Sequence, residues 1–205
     1  PESPGEVVEM AKVAKCYGGY YGVHVGSEGF DIFEELAKTL RIAPESQIPI
    51  HVYHLKMRAK ANWGRVREVV EQIEEARREG LDITANQYPY TAMQHPWRRL
   101  FPRWVQDGPV GETISQFKSP AFRERVMKDP EFSQYVDEHG GWEGVVAARL
   151  DTAALKKFEG MTIAEIAKIR EQDPMNTCFD LIYEEGAFIH GVHHTMNEDD
   201  VKAVM

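Results

Sequence analysis

The chain has 205 residues, a formal net charge of −9 and a pI near 5.4. That length is enough to bury a real core, and 42% hydrophobic with 28% charged residues is ordinary for a globular protein. An acidic chain without a basic stripe argues against a nucleic-acid partner, and no apolar run approaches the roughly 20 residues that span a bilayer, which argues against a membrane partner.

No signal peptide is visible. The two cysteines, Cys16 and Cys178, make no disulfide framework, so a reducing, cytoplasmic compartment is expected. Each cysteine sits in a predicted helix and reads as core packing. The chain opens on Pro1 and stops inside a predicted helix, so a fragment of a longer protein is expected.

In chain order, Glu6 to Tyr17 carries Val7, Val8, Met10, Ala11 and Ala14 at helical spacing, and Gly18-Gly19 ends it. A strand follows, Tyr20 to Val25. The next helix, Asp31 to Arg41, puts Ile32, Phe33, Leu36 and Leu40 on one face. Pro44 to Pro49 reads as a turn, Ile50 to Leu55 as a strand, and about Gly64 to Arg78 as a long helix closed by Gly80. Leu81 to Gln87 is a third strand leading into Tyr88-Pro89-Tyr90. Strands alternating with helices through short connections predict a parallel sheet.

After His95 the pattern changes to short helices: Val110 to Phe117, Pro120 to Lys128, Ala153 to Phe158, Thr162 to Gln172 and Met175 to Glu185. Thr162 with Glu165 three residues on is a capping box. A fourth strand, Ala187 to Val192, ends in His193-His194, and Asn197 caps a last helix from Glu198. The expected fold is therefore α/β: a partial (β/α)8 barrel of about four parallel strands, where a closed barrel needs eight, plus a helical insertion. The expected division is a barrel segment over 1–92, the insertion over 93–185, and a return strand and helix over 186–205.

Two strand ends carry histidines thirty residues apart, His24 and His54. The carboxyl end of a parallel barrel is where its active site is built, and two imidazoles converging there suit a catalytic metal. Taken singly, each histidine also reads as a hydrogen-bonded core residue. Side chains alternate along a strand, so His54 and Lys56 are expected to share a face, with His51 turned outward against a helix. Lys56 reads either as a surface lysine or as a point charge for a substrate carboxylate. Tyr88 reads as loop packing or as a lining residue of the same mouth. His190, His193 and His194 read as a metal cluster or as strand-end packing. Trp97, Arg98, Arg99 and Trp104 read more readily as packing and solvated charge than as a side-chain pocket.

A resemblance joins these segments. The run from Gly18 through Tyr20, His24 and Glu28 to Gly29 resembles the G-G-x-Y-x-T-H-x-R-x-E-G segment of the D-aminoacylase (N-acyl-D-amino-acid deacylase) family of the amidohydrolase superfamily. Ile50 to Lys56 resembles its I-S-H-[LH]-K segment, Asn62-Trp63-Gly64-Arg65 its N-[FW]-G-[RK] loop, and Asp82 to Ala92 its D-[VI]-T-x-D-x-Y-P-Y-x-A segment. Met161 to Ala167 and Met196 to Val201 are similar to its later T-[IL]-x-E-[IL]-A and M-x-E-x-D-V elements. The matches keep the family's order and touch most of the chain outside about 93–160.

The resemblance implies a metal-dependent hydrolase on a (β/α)8 barrel that deacylates N-acyl-D-amino acids. By the same resemblance His24 and His54 bind zinc, Lys56 and Tyr88 hold the substrate carboxylate, and a catalytic aspartate acts as general base and acid. That aspartate is expected beyond Met205, and the family's first-strand H-x-H and its bridging cysteine or carboxylate are absent from these 205 residues. Gly26 stands where the family has arginine, and Asn86 where it has aspartate. Two other readings are a cyclic-amide hydrolase of the dihydroorotase or hydantoinase kind and a noncatalytic relic that binds metal or carboxylate. A partial barrel also leaves sheet edges and apolar surface bare, so self-association and no activity of this chain alone are expected.

Overall fold

The structure, a computed structural model, describes residues 3–205. The chain divides into two compact units. One holds the residues up to Thr91 together with Met196–Met205, the other Ala92–Thr195.

In the first unit, α1 (Pro4–Cys16) starts at Ser3, whose hydroxyl accepts the Glu6 N–H, with proline in the first turn. The short strands β1 (Tyr21–Val23), β2 (Ile50–Val52) and β3 (Ile83–Ala85) form a parallel sheet in that order. Tyr21 lies opposite Ile50, and Ile50 opposite Ile83. The connections carry α2 (Ile32–Leu40), the one-turn α3 (Ile42–Ser46) and α4 (Val66–Arg78). One face of the sheet, Ile50, Val52 and Ile83, is buried in a core with Ile32 and Leu36 of α2 and Val66, Val69 and Ile73 of α4. Their spacing in the sequence is what put them on one helix face. The last helix, α11 (Glu198–Val204), packs on α4, and its Asp200 accepts the Gly64 N–H at 2.9 Å. Among the described residues no helix is long and apolar enough to cross a membrane.

The second unit is built on an antiparallel sheet of β4 (Ala92–Pro96), β5 (Val145–Arg149) and β6 (His190–His194), in the order β4-β6-β5. Around it run α5 (Arg103–Gln106), α6 (Val110–Gln116), α7 (Pro120–Met127), α8 (Pro130–Glu138), α9 (Ile163–Ile169) and α10 (Pro174–Glu185). Trp97, Phe101, Phe117, Phe132 and Phe179 are fully buried at its centre, with the Phe101 ring 5.0 Å from Phe117 and 5.5 Å from Phe132. Three helices begin on the same device, Ser119, Asp129 or Asp173 as cap followed by proline. The capping box at Thr162 and Glu165 is formed in both directions.

Several expectations need correction. The parallel sheet has three strands, not about four. The segment expected as a fourth parallel strand, Ala187 to Val192, overlaps β6 at His190–His194, which pairs antiparallel with β4 and β5. The insertion is thus not purely helical. Its two other strands escaped notice because β4 ends in His95-Pro96 and β5 contains two alanines, neither a strand former. The expected boundary at 185/186 falls inside the second unit, since that unit runs to Thr195. The first half of the turn expected at 44–49 belongs to α3, which is closed by Gln47 in a left-handed conformation at φ 57°.

The cap of α10 supplies a test. The Asp173 carboxylate accepts the Asn176 N–H at 2.9 Å and its side-chain amide at 2.8 Å. Partial burial works to raise the Asp173 pKa, but these donors outweigh it and hold the carboxyl below the ordinary aspartate value. The folded chain therefore binds that proton less readily than the unfolded one. The stabilisation is complete above the unfolded pKa and is lost as pH falls through the folded pKa. Asp173→Ala should cost about 1 kcal/mol in urea denaturation at pH 7. Asp173→Asn should stay close to the parent at pH 7 and gain on it as the pH drops toward 3. A parent-to-Asn difference that is constant over that range would refute the account.

Candidate metal and carboxylate site

The loops just past the carboxyl ends of the three parallel strands bring His24, Glu28, His54, Lys56, Arg58 and Tyr88 together. His24 follows the last residue of β1. His54 comes two residues after β2 ends, and its backbone is left-handed at φ 41°. Strand alternation therefore stops at Val52 and cannot be carried on to His54. The two imidazoles stack with centroids 4.4 Å apart, and His24 Nδ1 faces His54 Nε2 directly. Tyr53 supports the pair, its ring 5.4 Å from that of His24. An added Cβ on Gly22 would lie 2.6 Å from the Tyr53 hydroxyl, so glycine at that point lets the tyrosine cross β1.

Behind the histidines lies a buried charge cluster. Glu28 Oε1 is 2.5 Å from Lys56 Nζ and 2.9 Å from His54 Nδ1, and Oε2 is 3.6 Å from Arg58 Nε. Lys56 is only 4% exposed. Burial works to raise the Glu28 pKa, but the His54 and Lys56 hydrogen bonds and the Lys56 and Arg58 charges prevail and hold it below the usual carboxylate value. Glu28 is therefore an anion at neutral pH. Burial works the other way on Lys56: it outweighs the attraction of Glu28 and, with the Arg58 charge, holds the ammonium below the usual lysine value.

Two charged groups meet at His54 Nδ1, the Glu28 carboxylate at 2.9 Å and the Lys56 ammonium at 2.7 Å. Where Nδ1 donates to Glu28, Nε2 is left as a lone pair aimed at His24. A carboxylate behind a histidine, fixing its tautomer and orientation, is the usual support of a metal-ligating imidazole. Lys56 Nζ is met by Glu28 Oε1, by His54 Nδ1 at 2.7 Å and by the His54 carbonyl at 3.1 Å. Beside it stands Tyr88, its ring centroid 5.4 Å from Lys56 Nζ. The Tyr88 hydroxyl is buried and has no hydrogen-bond partner among the described residues. Burial, with the Glu28 charge, pushes its pKa up, so it is a neutral donor.

The donor set fits a metal in part. Two imidazole nitrogens converge with a carboxylate behind one of them, but a catalytic zinc takes three protein ligands. Among the described residues no group of three or more His, Cys, Asp or Glu side chains has the geometry to hold a metal ion.

The structure brings all four expected residues, His24, His54, Lys56 and Tyr88, to one place. His51 does not turn outward against a helix. It lies on the sheet face away from the core, where Nδ1 meets Thr84 Oγ1 at 2.7 Å and Nε2 meets the Asn86 amide at 3.0 Å. His190, His193 and His194 do not converge either. His193 is buried against His139, with Nδ1 to Nδ1 at 3.0 Å, while His190 and His194 are exposed. Trp97 is core, Arg98 donates to the Gly108 carbonyl, Arg99 bonds Gln106 and Trp104 bonds Asp129. Sequence reasoning gave no role to Glu28 or Arg58. The one available signal was an acidic residue among glycines four positions after His24.

Imidazoles, a lysine and a carboxylate thus stand together past the strand ends of a parallel α/β unit. The chain resembles the D-aminoacylase family, in sequence over part of its length and in fold over nearly all of it. The D-aminoacylase of Alcaligenes xylosoxydans xylosoxydans is 34% identical over 87 residues, 42% of this chain and 18% of that protein. A crystal structure of D-aminoacylase aligns with 98% of this chain at a TM-score of 0.63 and 22% identity. N-acyl-D-glutamate deacylase from Bordetella bronchiseptica, complexed with zinc and a phosphonate inhibitor, aligns over the same share at 0.65 and 17% identity. The chain spans 33% of the length of each of these two structures. No family model matches it.

The charge cluster makes a stability prediction. Glu28→Gln leaves Lys56 buried without its counter-charge, and removing one partner of such a pair costs about 3–5 kcal/mol. Urea denaturation followed by amide exchange in β2 should show a loss of that order. Adding Lys56→Met should recover most of it, because no orphan charge then remains. A Glu28→Gln protein within about 0.5 kcal/mol of the parent would mean the pair is solvated.

Proposed function

We propose that this chain carries part of the active site of a metal-dependent amidohydrolase that deacylates N-acyl-D-amino acids, built on a (β/α)8 barrel of which the parallel unit is a segment. The observation that carries the reading is the His24–His54 pair backed by Glu28 and flanked by Lys56 and Tyr88. The D-aminoacylase and N-acyl-D-glutamate deacylase relatives support it.

His24 Nδ1 and His54 Nε2 would hold a zinc ion, which supplies Lewis-acid polarisation of the scissile amide carbonyl and of the attacking water. Glu28 keeps the His54 lone pair directed outward. The Lys56 ammonium and the hydroxyl of Tyr88 receive the substrate carboxylate, one as a charge and one as a neutral donor. That anchor fixes the α-carbon and so points the acyl group toward the histidines. Glu28 is already committed to Lys56 and His54, and is not available as a base. The proton transfers are assigned to an aspartate outside these 205 residues, so the chain alone does not turn over.

Zinc titration of the chain by calorimetry should show weak binding that His24→Ala and His54→Ala each abolish. Binding indifferent to both substitutions would overturn the metal assignment.

In the longer enzyme, Tyr88→Phe and Lys56→Met should each raise KM for an N-acetyl-D-amino acid about 10-fold or more, since a hydrogen bond to a charged group is worth about 1.5–3 kcal/mol. Unchanged KM in both would remove the carboxylate anchor, and turnover of cyclic amides in preference to N-acyl-D-amino acids would replace the substrate class.

A further inference from the structure

His54 carries a left-handed backbone, φ 41°, without being glycine. Such a conformation persists only where its surroundings hold it. Here the holding is done by one residue of the next strand segment, Asn86. Its side-chain oxygen accepts the His54 N–H at 2.7 Å, its carbonyl accepts the Leu55 N–H at 2.8 Å, and its own N–H donates to the Val52 carbonyl at 3.1 Å. The amide of Asn86 thus grips the turn on which His54 stands.

An amide side chain can be turned either way, so something must choose its orientation. Because His54 offers an N–H, the oxygen of Asn86 must face it and the NH2 must face the other side. There it meets His51 Nε2 at 3.0 Å. His51 Nε2 must then be the acceptor, which forces the neutral imidazole to carry its proton on Nδ1. That proton is donated to Thr84 Oγ1 at 2.7 Å, and the Thr84 hydroxyl in turn reaches the Ile50 carbonyl at 3.4 Å. Every donor direction in the run is fixed by the next: His54 N–H to Asn86, Asn86 to His51, His51 to Thr84, Thr84 to Ile50. Tyr53 packs edge-on against the His51 ring at 5.1 Å and limits its rotation.

We propose that His51 and Asn86 are positioning residues for His54: His51, held as its Nδ1–H tautomer by Thr84, locks the Asn86 amide so that its oxygen clamps the left-handed turn that aims the His54 ring at His24. Neither residue touches the metal position. The functional consequence rests on the metal-ligating role proposed above for His54, while the tautomer and the clamp stand on the geometry alone.

The test is histidine 15N–1H correlation spectroscopy of the chain at pH 8, where an ordinary imidazole is neutral, together with zinc titration. The parent should show His51 as the Nδ1–H tautomer. In Asn86→Asp both side-chain oxygens are acceptors. His51 must then place a proton on Nε2, while the His54 N–H keeps its partner. The His51 spectrum should therefore change, with the His54 ring shifts and zinc affinity within about 3-fold of the parent. Asn86→Ala removes the clamp itself. Its His54 ring signals should move, and its zinc affinity should fall by about 10-fold or more, the range for losing an outer-shell partner. A His51 found as the Nε2–H tautomer in the parent would overturn the proposal, as would a folded Asn86→Ala protein with unchanged His54 signals. Should Asn86→Ala not fold, the Asp variant decides: an unchanged His51 tautomer there is refutation. Absence of zinc binding by the parent would count against the proposed function alone, because the tautomer and ring-shift readouts need no metal.

Discussion

The site depends on one buried carboxylate. Glu28 belongs to the loop after β1, whereas Lys56 and His54 belong to the loop after β2, so their contacts at 2.5 and 2.9 Å fasten two strand ends to each other. Such a pair is seldom a net gain over apolar packing, because both ions lose their water. What it contributes is definition. Glu28 fixes where the Lys56 ammonium and the His54 ring sit, and it gives the loop after β1 one place to lie. A second tie joins the same loops from the backbone side, the Arg58 N–H donating to the Glu28 carbonyl at 2.7 Å.

The parallel unit gives this cluster its footing through a division of faces. Ile50, Val52 and Ile83 commit one side of the sheet to the helices. The other side is left to polar and aromatic groups: His51, Thr84, Tyr53 and Tyr20, whose hydroxyl meets that of Tyr53 at 3.1 Å. The strands are only three residues long, so the functional side chains sit on loops and not on the ladder. Loop placement needs its own constraints, and here they are hydrogen bonds between neighbouring loops. Gly26 fits the same pattern. The carboxylate of Glu35 fills the space that an added Cβ would take there, so α2 reaches up to the loop that carries Glu28.

Much of the first unit was legible in the sequence, because its order of helix and strand is written in apolar spacing and in glycines at helix ends. The convergence of His24, His54, Lys56 and Tyr88 was legible too, from strand ends and from resemblance. Strand parity was the wrong reason for it. His54 is past the end of β2 with φ at 41°, and a left-handed residue resets which way the following side chains point. Parity also misplaced His51, which points away from the helices toward Thr84. Glu28 lay hidden because its partner is 28 residues away and nothing local marks an acid as buried. In the second unit the helices announced themselves by Ser-Pro and Asp-Pro starts. The strands did not, since Ala92–Pro96 and Val145–Arg149 are held by pairing with His190–His194 and not by their own propensity.

The join between the units has a consequence for how such a chain can change. The Met196 N–H donates to the Thr91 carbonyl at 3.1 Å, and the next pair inward, Ala92 and His194, already sits in antiparallel register. The 104 residues from Ala92 to Thr195 therefore leave the first unit and return to it at neighbouring points. The entropy of closing so long a loop is met by the ladder at its neck, and an insertion with adjacent ends is the kind a host fold tolerates. Glu28, His54, Lys56 and Arg58 all belong to the first unit. The two units can accordingly drift at different rates: the inserted one can lengthen, shrink or be exchanged wholesale between relatives, while selection on the loops after β1, β2 and β3 continues undisturbed.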